Sequence, residues 1–218
     1  MTQIGYLDTG VLIGFCLTVD SHHEPCSEYL STRPDEIYSG ERVEREYDNT
    51  AETVVQRYTG GVRRHRVAVQ SSSYTGELGP SDLRELQRSH LAPDNPTRDT
   101  IAELYDQLPQ VVYVDTVVDY LRKLERDIEQ MALNRKDTLD DAIVDYWCCD
   151  DSHPEVRSAV DLHEPDLTIC VEGHDLAETI GGTVELATAN PTDFVDDGTD
   201  TTIESATALS GVVDCTTA

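Results

Sequence analysis

The first fifteen residues contain two short apolar runs separated by an acidic turn. Residues 4–7 are largely apolar, Asp8-Thr9-Gly10 follows, and residues 11–15 are largely apolar again. The first run is typical of a buried parallel strand, and the second predicts a helix. Because ligands of open α/β sheets lie beyond the carboxyl ends of the strands, Asp8 is a candidate functional residue. The alternative interpretation is that Asp8 only caps the following helix.

A second strand and helix are predicted next. The polar residues 18–29 are expected to be a loop that leads into a short helix, and residues 36–39 are expected to be a strand. A longer helix should begin at Ser39 and end at Gly60-Gly61. Its buried face is expected to carry Val43, Tyr47, Val54 and Tyr58.

The middle of the chain is predicted to be mainly helical. Helices are expected over residues 81–88 and 99–108, with a short strand at 111–114. The clearest helix should begin at Thr116, and another short helix is expected over residues 138–147. The long helix has a narrow apolar seam in steps of four and three, formed by Val117, Leu121, Leu124, Ile128 and Met131.

After Pro165 the α/β pattern returns. A helix is expected from Asp166 to Gly181-Gly182, followed by a strand over residues 183–188 and a last strand over residues 211–215. Both ends of the chain therefore show the strand and helix alternation of a parallel α/β sheet.

The charge balance indicates the surroundings in which the chain folds. It has 43 Asp and Glu against 16 Lys and Arg, a formal net charge of −27. The acids are spread along the whole length with apolar runs between them, which a disordered acidic tract would lack. We expect a folded protein of a salt-rich, haloarchaeal-type cytoplasm, whose acidic surface keeps it in solution. The net charge therefore does not exclude a nucleic-acid partner.

Length, hydropathy and cysteine spacing narrow the class further. The 218 residues suit a single domain with an insertion. No apolar run approaches a membrane span and no secretory signal precedes the first strand, so we expect a cytoplasmic protein without a membrane partner. The six cysteines form no CxxC pair, so no zinc site is indicated. Cys16, Cys170 and Cys215 lie in apolar runs and are expected in the core.

Three motifs together resemble those of the PIN domain family. They are Asp8-Thr-Gly-Val-Leu-Ile after the first strand, Asp166-x-x-Ile with a glycine two turns later, and Leu186-Ala-Thr-x-Asn-Pro-x-Asp-Phe. The match covers roughly the first 60 and the last 60 residues. PIN domains are metal-dependent ribonucleases, among them toxins of toxin–antitoxin pairs and RNA-processing enzymes. The resemblance implies a three-layer α/β/α sandwich around a central parallel sheet, with residues of about 60–164 as a largely helical insertion.

The resemblance also implies an acidic cluster at the carboxyl edge of that sheet. Its first acid is Asp8. The second lies in the helix after the second strand, where Glu46 fits the pattern and Glu44 is the alternative. The third is Asp166 at the start of the late helix, and the fourth is Asp193 in the Asn-Pro-x-Asp-Phe turn.

Two positions depart from the family pattern or compete with it. Asp140 and Asp141 are weaker candidates for the third acid, since Asp140-x-x-Ile fits but Trp147 stands where a small residue belongs. Asn190 stands where some relatives carry a further acid. The alternative is that Asp166 is present only because the helix dipole stabilises a negative charge at the start of a helix, and that Asp193 is only a turn residue.

These assignments predict a particular chemistry. Converging carboxylates repel one another unless a cation enters, and hard oxygen ligands favour Mg²⁺ or Mn²⁺. We therefore expect an endoribonuclease that uses such an ion to hydrolyse RNA. Its catalytic residues would be Asp8, Glu46, Asp166 and Asp193, with the three aspartates as metal ligands. Besides RNA, the family suggests an antitoxin or other protein as a partner, and the apolar seam of the long helix is compatible with a helix pair between two copies of the chain.

One basic cluster is a candidate for RNA binding. Arg63, Arg64 and Arg66 form the only dense group of basic residues in the sequence, and Arg84 and Arg88 follow. A guanidinium group can grip two phosphate oxygens at once, which suits RNA. The alternative is that these arginines form salt bridges with the surrounding acids.

Two other classes of function are compatible with parts of the sequence. A PIN fold with weakened catalysis would act as an RNA-binding or protein-interaction module, and Asn190 favours that alternative. Haloacid-dehalogenase-like phosphatases also place an aspartate after the first strand. Their second acid is missing from Asp8-Thr-Gly-Val, and no late lysine suits a phosphoryl group.

Overall fold

The computed structural model describes residues 2–149, 153–180 and 182–217. The chain divides into two compact units. The first comprises Met1–Ala51 and Asn134–Ala218, and the second comprises Glu52–Leu133. The first unit therefore contains both ends of the chain, and the second contains much of the region that the sequence marks as an insertion.

The strands of the described residues are β1 (Gln3–Leu7), β2 (Glu36–Gly40), β3 (Glu77–Leu78), β4 (Val112–Tyr113), β5 (Ile143–Trp147), β6 (Thr183–Thr188) and β7 (Gly211–Asp214). Five of them form a parallel sheet in the order β5-β2-β1-β6-β7. The central strand β1 places Ile4 opposite both Glu36 of β2 and Val184 of β6. In the second unit, β3 and β4 form an antiparallel pair, and the sequence did not predict β3.

The helices of the described residues are α1 (Thr9–Cys16), α2 (His23–Thr32), α3 (Glu41–Gln70), α4 (Pro80–His90), α5 (Arg98–Gln107), α6 (Val114–Ala142), α7 (Pro154–Ala159), α8 (Asp166–Ile180), α9 (Pro191–Phe194) and α10 (Thr199–Ala206). Helices flank the parallel sheet, which confirms the three-layer α/β/α architecture. None of these helices has the length and hydropathy that a membrane crossing requires.

The core of the first unit explains why β1 is a continuous apolar run. Its residues 4–7 are buried, as expected for a central strand covered by helices on both faces. The fully buried Tyr6 donates its hydroxyl hydrogen to Glu172 of α8 at 2.8 Å, so this polar group is satisfied inside the core. The predicted core cysteines Cys16, Cys170 and Cys215 are buried and free. The strand end that displays Asp8 is therefore firmly held.

The predictions for the two ends of the chain are confirmed. The strands expected at residues 36–39, 183–188 and 211–215 correspond to β2, β6 and β7. The helix expected from Asp166 is α8, which ends at Ile180; Gly181 of the predicted helix end lies outside the described residues. The α/β alternation was therefore a sound guide wherever strands are central and apolar.

The first correction concerns Gly60-Gly61, where a helix end was expected. Instead, α3 continues through both glycines to Gln70. A Cβ at Gly61 would lie only 2.5 Å from Oδ1 of Asn95 and 2.7 Å from Oγ1 of Thr97. The Asn95 amide also donates to the Gly61 carbonyl at 3.0 Å. Gly61 thus permits a close approach between α3 and the loop before α5, and does not terminate the helix.

The second correction concerns residues 138–147, which were expected to form a short helix. The helix α6 runs unbroken to Ala142, and the Thr138 hydroxyl donates to the carbonyl of Asn134 one turn earlier. Residues 143–147 form the edge strand β5, which pairs with β2. The sequence Ile-Val-Asp-Tyr-Trp is rich in β-branched and aromatic side chains, which favour a strand.

The long helix α6 confirms the predicted helix from Thr116, although it starts two residues earlier, at Val114. The buried members of its apolar seam are Val117, Leu121 and Ile128. In contrast, Met131 is 43% exposed. Within the second unit, the seam is therefore packed in its first turns and reaches the surface near its end.

Candidate acidic site

Asp8 follows β1 and also begins α1, so both interpretations of this residue apply. Its Oδ1 accepts a hydrogen bond from the Val11 N–H at 2.8 Å, which makes it the N-cap of α1. Its Oδ2 accepts from the Thr188 hydroxyl at 2.5 Å. Burial raises the pKa of Asp8 to about 6 against the opposing effect of these hydrogen bonds. A cation near Asp8 would offset that desolvation cost.

The carboxyl end of β6 supplies the neighbouring polar groups. Thr188 is the last residue of β6, and its hydroxyl oxygen accepts from the Asn190 N–H at 2.9 Å. The Asn190 side-chain amide donates to Oδ2 of Asp193, which is exposed in the short helix α9. The turn after β6 thus orients both Asp8 and Asp193 through a connected set of hydrogen bonds.

Asp166 links the predicted acids electrostatically. It is the first residue of α8 and is half-buried. Burial and, after it, the charges of Asp193, Glu46 and Glu164 together raise the pKa of Asp166 to about 6. The charge of Asp166 acts in the same direction on Asp8. The first unit therefore brings all four predicted acids into one electrostatic neighbourhood, which Glu164 also joins.

Glu46 takes part in this neighbourhood, whereas Glu44 does not act on Asp166. The Glu46 carboxylate accepts from the Thr9 hydroxyl at 2.8 Å, which ties the second turn of α3 to the start of α1. Glu44 acts on Tyr146 instead, where burial and a hydrogen bond to Asp140 raise the tyrosine pKa and the Glu44 charge adds to them. The geometry therefore favours Glu46 for the second position.

The competing candidates for the third acid lie elsewhere in the first unit. Asp140 is paired with Lys136 and also accepts from the Tyr146 hydroxyl at 2.5 Å. Asp141 is exposed at the end of α6. A carboxylate already neutralised by a lysine is a poor anchor for a metal ion, so Asp166 remains the candidate.

The donor set of the acidic site fits a hard divalent cation. Carboxylate oxygens, with the hydroxyls of Thr9 and Thr188 beside them, are ligands that Mg²⁺ and Mn²⁺ accept. Among the residues that the structure describes, the close groups of three ligand atoms do not include the acids of this site. Unneutralised carboxylates repel one another, so an open arrangement is expected of them without a cation.

Two arginines beside the acids were missed in the sequence. A surface pocket in the first unit is lined by Arg42, Arg45, Glu46, Asn49 and Pro165. Arg45 also pairs with Glu41 at 2.5 Å, an exposed contact that solvent weakens. The available signal was their position, since Arg42 and Arg45 precede the candidate catalytic residue Glu46 within about one helical turn.

The predicted RNA-binding arginines lie near the end of α3, in the second unit. Arg63 and Arg66 both pair with Glu125 of α6, at 2.5 and 3.4 Å, and Arg64 is exposed. The alternative of salt bridges therefore applies to two of the three. The surrounding pocket is lined by Arg63, Arg66, Asp119, Arg122, Glu125, Arg126 and Glu129. Its four arginines outnumber its three acids, so an RNA phosphate could still bind there.

A second set of residues with metal-ligand atoms includes none of the four acids, and its two groups share His153. In one group, ligand atoms of Cys149, His153 and Asp175 all lie within 4.8 Å of one another. In the other, the same holds for His153, His174 and Glu178. The chain thus contains groups of side chains that could hold a metal ion, and the cysteine spacing gave no sign of them.

Comparison with known proteins adds no relative to this description. No protein-family model, curated protein or solved structure matches the chain.

Proposed function

We propose that the chain is a Mg²⁺- or Mn²⁺-dependent endoribonuclease of the PIN type, acting at the acidic site described above. The observation that supports this most is the coupling of Asp8 and Asp166. Burial and like charge raise the pKa of both carboxyl groups to about 6, although one follows β1 and the other opens α8. Two coupled acids beyond the carboxyl ends of parallel strands form a site that a divalent cation would stabilise.

Each acid has a separate role in this proposal. Asp8, Asp166 and Asp193 would hold the ion, which when bound would activate water and offset negative charge on the scissile phosphate. Glu46, held by the Thr9 hydroxyl, would accept the proton that the attacking water loses. Thr188 and Asn190 orient Asp8 and Asp193 without contacting substrate. This assignment needs no serine, cysteine or histidine nucleophile.

RNA would reach the acids across positive charge. Arg42 and Arg45 share a pocket with Glu46 and therefore lie where the phosphates flanking the cleavage point would pass. Arg63, Arg64 and Arg66 of the second unit remain the predicted guide for another part of the RNA. Arginine suits both positions because its planar fork binds two phosphate oxygens and its face stacks on bases.

The direct test is metal-dependent cleavage of single-stranded RNA by the purified protein in molar KCl. We expect cleavage with Mn²⁺ or Mg²⁺, none with EDTA, and a fall of about 100-fold or more in Asp166→Asn. Asp140→Asn is the matched control, since it alters an acid of the same unit that is already paired with Lys136, and it should keep wild-type activity. Cleavage that persists in EDTA, or equal loss in both variants, would contradict the assignment.

The two arginine groups can be separated by their salt dependence. RNA affinity is measured in EDTA, so that no cleavage occurs, across a series of KCl concentrations. Replacing Arg63, Arg64 and Arg66 together with glutamine should weaken binding and lower the salt slope by about 0.7 for each phosphate that is no longer neutralised. The double variant R42Q/R45Q should weaken binding and also slow cleavage at saturating RNA. A group whose variant binds RNA like the wild type does not lie on the substrate path.

A second candidate function is a PIN-like module that binds RNA without cutting it. The observation in its favour is that the Asn190 amide donates to Asp193, where some PIN domains would place another acid. An amide supplies no charge for a cation, and its hydrogen bond occupies one Asp193 oxygen. RNA binding without metal-dependent cleavage would select this alternative.

A further inference from the structure

The group around His153 is built from three different elements of the first unit. Cys149 follows β5, His153 precedes α7, and Asp175 lies on α8. His153 is 7% exposed, and the other two side chains are half-buried. His153 is therefore shielded from solvent, whereas solvent and ions can reach Cys149 and Asp175.

Hydrogen bonds within the group converge on Asp175. The His153 ring donates from Nε2 to Asp175 Oδ1 at 2.9 Å, and the Cys149 thiol also bonds to this carboxylate. In each of these two hydrogen bonds, a proton lies between two atoms that could instead coordinate one metal ion. Ligand atoms around a tetrahedral zinc ion lie roughly 3.3 Å apart, and Nε2 of His153 and Oδ1 of Asp175 are already 2.9 Å apart. These two atoms would therefore have to separate only slightly for a zinc ion to replace the proton between them.

Residues behind the ligands are arranged as in metal sites. The Trp147 indole N–H donates to the other Asp175 oxygen, Oδ2, at 2.8 Å, which orients Oδ1 towards His153. His153 Nδ1 lies 3.3 Å from Oε1 of Glu155, so the ring proton of the ligated form would be donated to that carboxylate. A carboxylate that holds the far side of a ligating imidazole is a common support for bound zinc.

The neighbouring His174 is not suited to be a further ligand. Its Nδ1 accepts a hydrogen bond from the Ala208 N–H at 2.8 Å, which places the proton of the neutral ring on Nε2. That proton cannot move to Nδ1, which already accepts from the backbone, whereas the His153 ring can carry its proton on Nδ1 beside Glu155. The protein ligands are therefore three, and water completes a tetrahedral ion. The His174 ring packs edge-on against His153, with ring centroids 4.7 Å apart, and supports its position.

We propose that Cys149, His153 and Asp175 bind one zinc ion, which joins the end of β5 and the start of α7 to α8. A thiolate, an imidazole and a carboxylate are ligands of Zn²⁺, whereas Mg²⁺ and Mn²⁺ prefer oxygen. Binding releases the thiol proton to solvent, and the neutral His153 ring binds through Nε2 as the tautomer that carries its one proton on Nδ1, beside Glu155. The site shares no residue with the four acids proposed for catalysis, and its role is to stabilise the first unit.

Cobalt substitution tests the proposal, because the 43 acids of the chain will bind many divalent ions loosely. Protein stripped with a chelator and kept in molar KCl is titrated with Co²⁺. We expect one equivalent to produce the near-ultraviolet charge-transfer band of a thiolate bound to cobalt, a signal that carboxylate sites cannot give. Zn²⁺ should abolish the band at one equivalent, and a large excess of Mg²⁺ or Mn²⁺ should leave it unchanged.

The neighbouring cysteine provides a matched control. Cys149→Ser should lose the band, whereas Cys148→Ser, a change at the exposed adjacent residue, should keep it. Zn²⁺ should raise the melting temperature of the wild type and of Cys148→Ser, but not that of Cys149→Ser. A missing band in folded wild-type protein, or a band that Cys149→Ser retains, would overturn the proposal.

Discussion

Replacing Asp8 with asparagine should remove RNA cleavage while leaving the fold intact. The variant keeps the side-chain oxygen that accepts from the Val11 N–H and caps α1, but it lacks the charge that would hold the cation. We expect a fall in cleavage rate of about 100-fold or more with Mn²⁺. The rate is measured on single-stranded RNA in molar KCl, and folding is followed by circular dichroism.

The same variant should change how stability depends on pH. The pKa of Asp8 is about 6 in the native protein and 3.8 in an ordinary carboxyl group, so the native state binds this proton more tightly. Stability from this residue is therefore present below about pH 4 and is lost as the pH rises through 6, a cost of about 3 kcal/mol at pH 7. The Asp8→Asn substitution removes that cost, whereas weaker hydrogen bonds at Thr188 offset part of the gain.

The measurement is the free energy of unfolding of both proteins between pH 4.5 and 7.5 at constant KCl. At pH 7, the asparagine variant should be at least as stable as the wild type. Its stability should also fall less steeply as the pH rises through 6, with the remaining slope due in part to Asp166. If the variant cleaves RNA at the wild-type rate, Asp8 is not part of the catalytic site. If the stability of the two proteins depends on pH in the same way, the pKa of Asp8 is not raised in the native protein.

Lowering the salt concentration should destabilise the whole protein. The net charge of −27 produces self-repulsion that molar KCl screens over about 3 Å and dilute buffer does not. We expect the melting temperature to fall by about 10 °C or more between 2 M and 0.1 M KCl. Equal melting temperatures at the two salt concentrations would show that the acidity does not serve a salt-rich environment.

Divalent ions separate general screening from the acidic site. At low salt, millimolar Mn²⁺ should restore more stability than KCl of the same ionic strength, because an ion held by the carboxylates binds only the native state. The Asp8→Asn variant provides the control and should lose that additional gain. If it gains as much from Mn²⁺ as the wild type, the ion binds elsewhere on the acidic surface.

The parallel sheet could be predicted from the sequence because its central strands contain short apolar stretches that are followed by turn or helix signals. Residues 4–7 of β1 and 184–188 of β6 are buried, although β6 also carries the polar residues Glu185 and Thr188. The edge strand β5 is exposed at Val144 and Asp145 and follows a helix without a break, so a helical pattern was extended into it. The predicted helix end at Gly61 was wrong for a different reason. This glycine lacks a side chain because Asn95, a residue distant in sequence, packs closely against it.

Asp8 could be proposed from the end of the first strand, whereas Glu46, Asp166 and Asp193 were proposed from the resemblance to PIN domains. The sequence could not decide between Glu44 and Glu46, since both lie in the same helical turn. Only the packing of the folded chain shows that Glu46 contacts Thr9 and that Glu44 lies near Tyr146. The group at Cys149 was hidden because its members come from three elements and its ligand spacing follows no common motif. The pairing of Arg63 and Arg66 with Glu125 likewise depends on the contact between two helices.

The double attachment of Asp8, to the first turn of α1 and to the acidic site, bears on how this position can evolve. A lineage that gave up the chemistry would still need an oxygen to accept the Val11 N–H. Asparagine, serine and threonine all meet that need, whereas alanine does not. Descendants that have lost catalysis should therefore drift among small polar residues at position 8, while active ones stay with aspartate. A small polar residue at position 8 would therefore be expected even in homologues without catalytic activity.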